Sequence, residues 1–143
     1  KTSQGGNTRE IFEAICRESE PGEKNTVVGF SNYVSPSAIA LTCYETVPTI
    51  RRTQLPTAMG RLGFPTEKSG AKIVAAGTID RFFVIDYRSF GIPEGRHQES
   101  FLLEEVKAAL ETSSYQKEKL VEQGTGGLGL TVYRKQEGDS ATD

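Results

Sequence analysis

The chain has 143 residues, of which 36% are hydrophobic and 25% charged, and its formal net charge is −2 at pH 7. A chain of this length supports one hydrophobic core. Its longest apolar runs, about five residues, exclude a membrane-spanning helix, which needs ~20. Seven Phe, five Tyr and many aliphatic residues exclude a disordered chain. The negative charge excludes a uniformly basic nucleic-acid-binding protein.

The N-terminal part of the chain predicts a short helix after a flexible start at residues 1–6. Asn7 and Glu10 have the spacing of a capping box, which opens a helix that we expect to continue to about Ser19. The apolar residues of this segment follow helical spacing and predict one buried stripe, formed by Ile11, Phe12, Ile15 and Cys16.

Two strands are predicted next. The apolar residues from Thr26 to Val34 indicate one strand, and the alternating pattern of Ala38–Thr46 indicates a second, with Ile39, Leu41 and Cys43 on its buried side. The sequence 35–37 (Ser-Pro-Ser) would form the turn between them.

The two cysteines, Cys16 and Cys43, are 27 positions apart. We interpret them as reduced thiols that act as small buried side chains. A disulfide between the N-terminal helix and a strand is the geometric alternative. A zinc site is excluded, because two cysteines and one histidine do not complete the usual set of four ligands.

Residues 48–70 form a segment rich in helix and strand breakers, which we call the arm. It contains Pro48, Pro56, Gly60, Gly63, Pro65 and Gly70. Such a density of breakers predicts an extended surface loop that is excluded from regular sheets and long helices. Loops of this length in a small domain are usually functional or disordered.

The second half of the chain predicts a hairpin, a long helix and a final strand. Ala71–Thr78 and Arg81–Tyr87 would form the hairpin, with the latter as a central strand. A helix would begin near Gln98 and continue, with one interruption, to Gln123. The final strand would cover 128–133, followed by a polar tail at 136–143.

Together these elements predict a single α+β domain over residues 1–143, in the order α-β-β-(arm)-β-β-α-β. Strands in succession and two helices favour a two-layer sandwich, with a mainly antiparallel sheet and a long C-terminal helix. The predicted core comprises Ile39, Leu41, Phe83, Ile85, Leu103, Val106, Leu110 and Val132.

The glycine-rich sequence Gly124–Gly129 satisfies the GxGxxG pattern of dinucleotide-binding loops. That site needs a strand before the glycines and a helix after them. Here the predicted order is reversed, so we interpret the glycines as the end of the long helix.

A second interpretation of these glycines comes from a family resemblance. Phe83–Asp86, the Gly-Ile-Pro-Glu sequence at 91–94 and the glycines at 126–129 resemble, in their order, the ATP-binding domains of sensor histidine kinases and anti-sigma-factor kinases. The resemblance covers about residues 71–132. The magnesium-holding Asn of that family has no counterpart between Leu55 and Lys68, so the resemblance implies at most a degenerate relative that does not use the nucleotide.

The distribution of charge carries the functional prediction. Between Pro48 and Ala75 there are five basic residues and one acidic residue, whereas residues 76–143 contain eight basic and twelve acidic residues. A cationic arm on an acidic domain is typical of contact with an anionic partner, and Arg and aromatic residues are enriched in interface cores. The predicted partner-binding residues are Arg51, Arg52, Arg61, Phe64, Lys68 and Lys72.

We therefore predict a non-catalytic accessory or scaffold subunit that docks into a larger protein assembly through its arm. A single histidine, His97, no nucleophile motif and no metal-ligand set disfavour an enzyme, and no cofactor is expected. The alternative is a domain that binds nucleic acid or nucleotide phosphate through the same basic residues.

Overall fold

The computed structural model describes residues 8–20, 22–29, 35–52, 55, 57–58, 69–87, 97–122 and 127–136. These residues form helices and strands in the order α1 (Thr8–Glu18), β1 (Asn25–Val28), α2 (Pro36–Thr46), β2 (Thr57–Ala58), α3 (Ser69–Ala76), β3 (Arg81–Tyr87), α4 (His97–Glu111), β4 (Gln116–Val121) and β5 (Leu128–Arg134). The mixed α+β class is confirmed, but the predicted order of elements is wrong.

The strands form one mixed sheet with the order β2-β1-β3-β5-β4. Strand β1 is parallel to both β2 and β3, whereas β5 is antiparallel to both β3 and β4. The two antiparallel ladders are the longer ones, so most paired residues of this mixed sheet are antiparallel, as predicted. Strand β3 lies at its centre, and the burial of Phe82–Ile85 confirms the predicted central strand.

Helices cover both faces of the sheet. Phe83 and Ile85 of β3 pack on one face with α1 and α2, while Phe82 and Val84 pack on the other with α3 and α4. The predicted two-layer sandwich is therefore wrong. A central strand with large apolar side chains on both sides needs a helical layer on each face to remove them from water.

Two segments that were predicted as strands are helices. Residues 38–46 belong to α2, whose N-cap Ser35 accepts a hydrogen bond through its hydroxyl from the Ala38 N–H at 3.3 Å. Residues 71–76 belong to α3, which is followed by Gly77 at a φ of +71°. In both cases the capping residues, which favour a helix, prevail over a short apolar run that suits either structure.

The predicted long C-terminal helix is also wrong, because α4 ends at Glu111 and Gln116–Val121 form the edge strand β4. The glycine-rich sequence consequently connects two strands, and Gly127, at a φ of +90°, directly precedes β5. The interpretation as a helix end is therefore wrong. The strand after the glycines is also a further departure from the kinase-like pattern, in which a helix follows them.

The arm contributes two residues to the sheet. Thr57 and Ala58 form β2 and pair in parallel with Thr26 and Val27 of β1. The expectation that breakers exclude the arm from a regular sheet is wrong at this point. Residues 53–54, 56 and 59–68 of the arm lie outside the described residues, as do 137–143 of the polar tail.

The cysteines form a disulfide bond between α1 and α2, with their Cα atoms 5.1 Å apart. The prediction of two reduced thiols is therefore wrong. Both residues are buried, Cys16 on α1 and Cys43 on α2, and these two helices pack side by side on the same face of the sheet. This packing brings the two sulfurs together.

Most of the predicted core is confirmed. Ile39, Phe83, Ile85, Val106, Leu110 and Val132 are each no more than 2% exposed. The prediction that Leu41 is buried is wrong, since it is 61% exposed. The side chain of Leu103 is not among those that the structure describes. Over the described parts of the chain, none of the helices has the length and apolarity required to cross a membrane.

Candidate docking surface

Helix α2 presents large apolar side chains to solvent. Leu41 is 61% exposed and Tyr44 is 42% exposed, and their spacing of three residues places them on the same side of the helix. On the opposite side, Ile39 and Cys43 are buried against the core. A neighbouring pair of exposed large apolar groups is more indicative of a binding surface than a single one.

Two arginines follow this helix on a fixed backbone. The chain turns after α2 through a hydrogen bond from the Ile50 N–H to the Val47 carbonyl at 2.9 Å, and Ile50 is itself buried in the core. Arg51 and Arg52 come next, and both are exposed. The buried Ile50 thus holds two of the predicted binding residues directly after α2. We call Leu41, Tyr44, Arg51 and Arg52 the α2 surface.

Glu45, the acidic residue that follows Tyr44 on α2, forms an ion pair with Arg9 of α1. Glu45 accepts a hydrogen bond from Arg9 of α1, with Nη2 and Oε1 2.8 Å apart, and this contact raises the pKa of Arg9. Arg9 also contacts Glu13 at 3.0 Å. The Glu45 charge is thus paired within the fold, and the α2 surface consists of two exposed apolar side chains on the helix and two exposed arginines in the segment that follows it.

Of the four remaining predicted binding residues, the structure describes Lys72 and places it elsewhere. Lys72 is exposed, but it lies on α3, which packs on the opposite face of the sheet from α2. Arg61, Phe64 and Lys68 lie outside the described residues. Of the six predicted residues, Arg51 and Arg52 are the ones that the structure places beside α2.

A groove of about 500 Å³ lies between α3 and the end of α4. Its polar groups are engaged within the fold: the Lys135 ammonium donates to the Gly77 carbonyl at 2.7 Å, and the Tyr115 hydroxyl donates to the Ile79 carbonyl at 2.6 Å. Small and apolar residues line much of the remainder. Since specific ligand sites combine apolar walls with convergent polar groups, this groove is a weaker candidate than the α2 surface.

Asp86, the acidic residue of the kinase-like motif, is engaged within the sheet. Its carboxylate accepts a hydrogen bond from the Thr131 hydroxyl at 2.8 Å and contacts the Lys119 ammonium at 3.3 Å. In the described part of the chain, no three His, Cys, Asp or Glu side chains are grouped as metal ligands would be. His97 is the first residue of α4, and its side chain is not among those described.

Comparisons of the chain with protein-family models, curated proteins and solved structures found no match.

The apolar half of the α2 surface was missed by the sequence analysis. In an alternating strand, Leu41 shares a face with Ile39 and Cys43, and all three were predicted to be buried. At helical spacing, Leu41 instead lies about 160° from Cys43 around the axis. The Ser-Pro sequence at 35–36, which is typical of an N-cap followed by the first helical residue, is the signal that would have revealed the helix.

Proposed function

We propose that this protein is a non-catalytic accessory subunit that docks onto a protein partner through the α2 surface. The observation that supports the proposal is the joint exposure of Leu41 and Tyr44 on a helix that is also apolar on its buried side. The matching partner surface is an apolar pocket bordered by carboxylates. Leu41 and Tyr44 fill the pocket, and Arg51 and Arg52 face the acidic border.

The two halves of the surface have different roles. Removing large apolar groups from water supplies most of the free energy of association and is insensitive to salt. Arginines at the edge mainly accelerate encounter and select acidic partners, and their effect weakens as salt screens the charges. In the same proposal, Arg61, Phe64 and Lys68 of the arm extend the contact beyond the α2 surface, whereas Lys72, on the other face of the sheet, takes no part in it.

A protein partner is favoured over a nucleic acid by the apolar pair. Phosphate backbones are bound by Lys, Arg, hydroxyl and backbone N–H groups, which make contacts that exposed Leu does not provide. The net charge of −2 further disfavours a polyanion. Nucleic-acid binding is therefore one of the outcomes that the experiment below distinguishes.

The first stage of the experiment identifies the partner by position. A photoreactive amino acid is placed at Leu41 and, as a control, at Lys117, an exposed residue of the opposite edge strand β4. We expect one protein to be cross-linked from position 41 and not from position 117. Equal cross-linking from both positions would contradict the assignment of the surface.

The second stage uses the cross-linked protein in purified form. Calorimetric titration would compare wild type, L41S/Y44S, R51S/R52S and the control K117S. We expect L41S/Y44S to weaken binding at least tenfold at every salt concentration, and R51S/R52S to weaken it mainly at low salt. If the cross-linked species is a polynucleotide whose binding depends on the arginines alone, the nucleic-acid alternative replaces the proposal.

A further inference from the structure

Helix α2 is apolar on two opposite sides. Ile39 and Cys43 face the core, at 2% and 0% exposure, while Leu41 and Tyr44 face solvent. A helix on a protein surface normally has one apolar stripe, and that stripe determines which side is buried. In α2 the apolar pattern alone does not select the rotation of the helix about its axis.

The polar contacts of α2 do little to select this rotation either. The Thr42 and Thr46 hydroxyls donate to carbonyls of the same helix, those of Ala38 at 2.9 Å and Thr42 at 3.0 Å. The ion pair between Arg9 of α1 and Glu45 is exposed on both sides, and such pairs contribute little. The disulfide between Cys16 and Cys43 is a covalent tie between α1 and α2 on the buried side of α2.

We propose that the Cys16–Cys43 disulfide is a redox-sensitive lock, which holds α2 in the rotation that exposes Leu41 and Tyr44. The oxidised chain presents the α2 surface. The reduced chain lets α2 turn on its axis, so that Leu41 and Tyr44 move towards α1 and are withdrawn from solvent. This inference rests on the docking function proposed above and adds its regulation.

The reductant is a dithiol. One of its thiolates attacks a sulfur of the disulfide, the Cys16–Cys43 bond breaks, and a mixed disulfide forms. The second thiol of the reductant then displaces the protein sulfur. The protein gains two electrons and two protons and becomes a dithiol, while the reductant becomes a disulfide.

The burial of the sulfurs determines how the lock responds. Cys16 is 1% exposed and Cys43 is 0% exposed, so a thiolate reaches them only when α1 and α2 separate locally. Attack is consequently slow compared with attack on an exposed disulfide. The lock therefore responds to a sustained reducing environment and not to a brief exposure to thiol.

The test uses tryptophan as a reporter, because the chain contains no Trp. Tyr44→Trp places the reporter on the α2 surface, and Lys117→Trp places a matched control on the exposed edge strand β4. Fluorescence is recorded in the oxidised chain and after incubation with dithiothreitol, with thiol titration to confirm reduction. A third protein carries Tyr44→Trp together with Cys16→Ser and Cys43→Ser.

We expect reduction to shift the emission of Tyr44→Trp to shorter wavelength, as the indole leaves water, and to leave Lys117→Trp unchanged. The double-serine protein should already show the shifted emission and should not respond to dithiothreitol. An unchanged Tyr44→Trp spectrum in a chain with two titrated thiols would overturn the lock. A shift of both reporters towards the spectrum of the unfolded chain would overturn it too, since the disulfide would then hold the whole fold.

The fluorescence measurement needs no partner, so its result tests the lock separately from the docking function. If reduction shifts the reporter but L41S/Y44S still binds the purified partner, the lock is retained and the docking function is wrong. If L41S/Y44S loses binding at least tenfold while reduced wild type binds as tightly as the oxidised chain, the docking function is retained and the lock is wrong.

Discussion

Phe83 lies at the centre of the sheet, between Val27 of β1 and Val132 of β5, and is fully buried. Replacing it with alanine leaves a cavity that the surrounding sheet and helices fill only in part. We expect Phe83→Ala to lower the free energy of unfolding by about 3–5 kcal/mol. Tyr44→Ala, on the exposed side of α2, should change it by less than ~0.5 kcal/mol. Urea titration of both variants checks the difference, and equal losses would place Phe83 outside the core.

Arg81 is the side chain on which several acidic groups converge. It is 13% exposed, donates to the carbonyl of Glu18, and contacts the Glu23 carboxylate at 2.9 Å. Arg81→Met removes these contacts and leaves half-buried carboxylates without their cation. Because those carboxylates keep partial access to water, we expect a loss of about 1–3 kcal/mol.

The matched control for Arg81 is Arg9→Met, which breaks the pairs with Glu13 and Glu45 on the exposed surface. It should cost less than ~1 kcal/mol. The two variants are compared by urea unfolding at low and high salt. If Arg9→Met lowers the free energy of unfolding more than Arg81→Met does, burial does not make the contacts of Arg81 stronger than those of an exposed arginine.

Tyr133 gives the fold a predictable response to alkali. Burial is the larger cause of the raised pKa of Tyr133, and the hydrogen bond that its hydroxyl donates to Glu111 at 2.7 Å raises this pKa further. Burial also raises the pKa of Tyr115. A raised folded-state pKa means that the unfolded chain releases its phenol protons first. The stability from these groups is therefore complete below pH about 10 and is lost as the pH rises above it.

We expect Tyr133→Phe to reduce the loss of stability above pH about 10. The change removes one of the protons that the folded state retains. The measurement is the urea midpoint against pH, with Tyr44→Phe as control. An unchanged alkaline slope in Tyr133→Phe would show that Tyr133 titrates alike in both states.

Among the elements, the connection between α1 and α2 depends most on a single bond. The disulfide closes a sequence separation of 27 residues, and loss of such a crosslink costs about 3–4 kcal/mol through the entropy of the unfolded chain. We expect Cys16→Ser with Cys43→Ser to lose that amount and still fold, because a domain of this size has ~5–15 kcal/mol available. Urea unfolding of the double variant provides the number. A loss below ~1 kcal/mol would show that the helix packing needs no crosslink.

The elements also show how far periodicity predicts structure. α1, β3 and β5 were predicted correctly, because the helical spacing of Ile11, Phe12, Ile15 and Cys16, the apolar run of β3 and the alternating pattern of β5 each allow one interpretation. α2 and α3 were predicted as strands, since short runs of small and β-branched residues suit both structures. β4 was predicted as a helix because Leu120 and Val121 fit the helical spacing of the apolar residues before them. Pairing with β5 makes this segment a strand instead, and Glu118 contacts Arg134 of β5 across that pair.

For the candidate site, the sequence predicted the charge but not the apolar partners. Arg51 and Arg52 were predicted as binding residues because the sequence shows a basic segment within an acidic chain. The exposure of Leu41 and Tyr44 follows from the helical structure of α2 and from the burial of its opposite side, neither of which was predicted. Cys43 lies on the buried side of α2 and is bonded to Cys16 of α1, a pairing that the sequence alone leaves as one of two alternatives.

At the scale of the whole molecule, the two helical layers place the proposed docking surface on one face of the sheet only. α1 and α2 carry the α2 surface, whereas α3 and α4 pack on the other face of the sheet. The edge strand β4 carries the charged residues Lys117, Glu118 and Lys119, a device that discourages pairing with other sheets. We therefore expect the chain to remain monomeric at concentrations where it binds its partner. Sedimentation through a concentration series measures the oligomeric state. A dimer that L41S/Y44S disrupts would identify a second copy of the chain as the occupant of the α2 surface.

The most direct test of the docking function is amide hydrogen exchange of the chain alone and in complex with its purified partner. We expect slower exchange in the complex across α2 and residues 47–52, with exchange in β4 and α4 unchanged. The same pattern should appear at low and high salt whenever the partner is saturating. Protection confined to α3, α4 or β4, with α2 exchanging as in the free chain, would contradict the docking function.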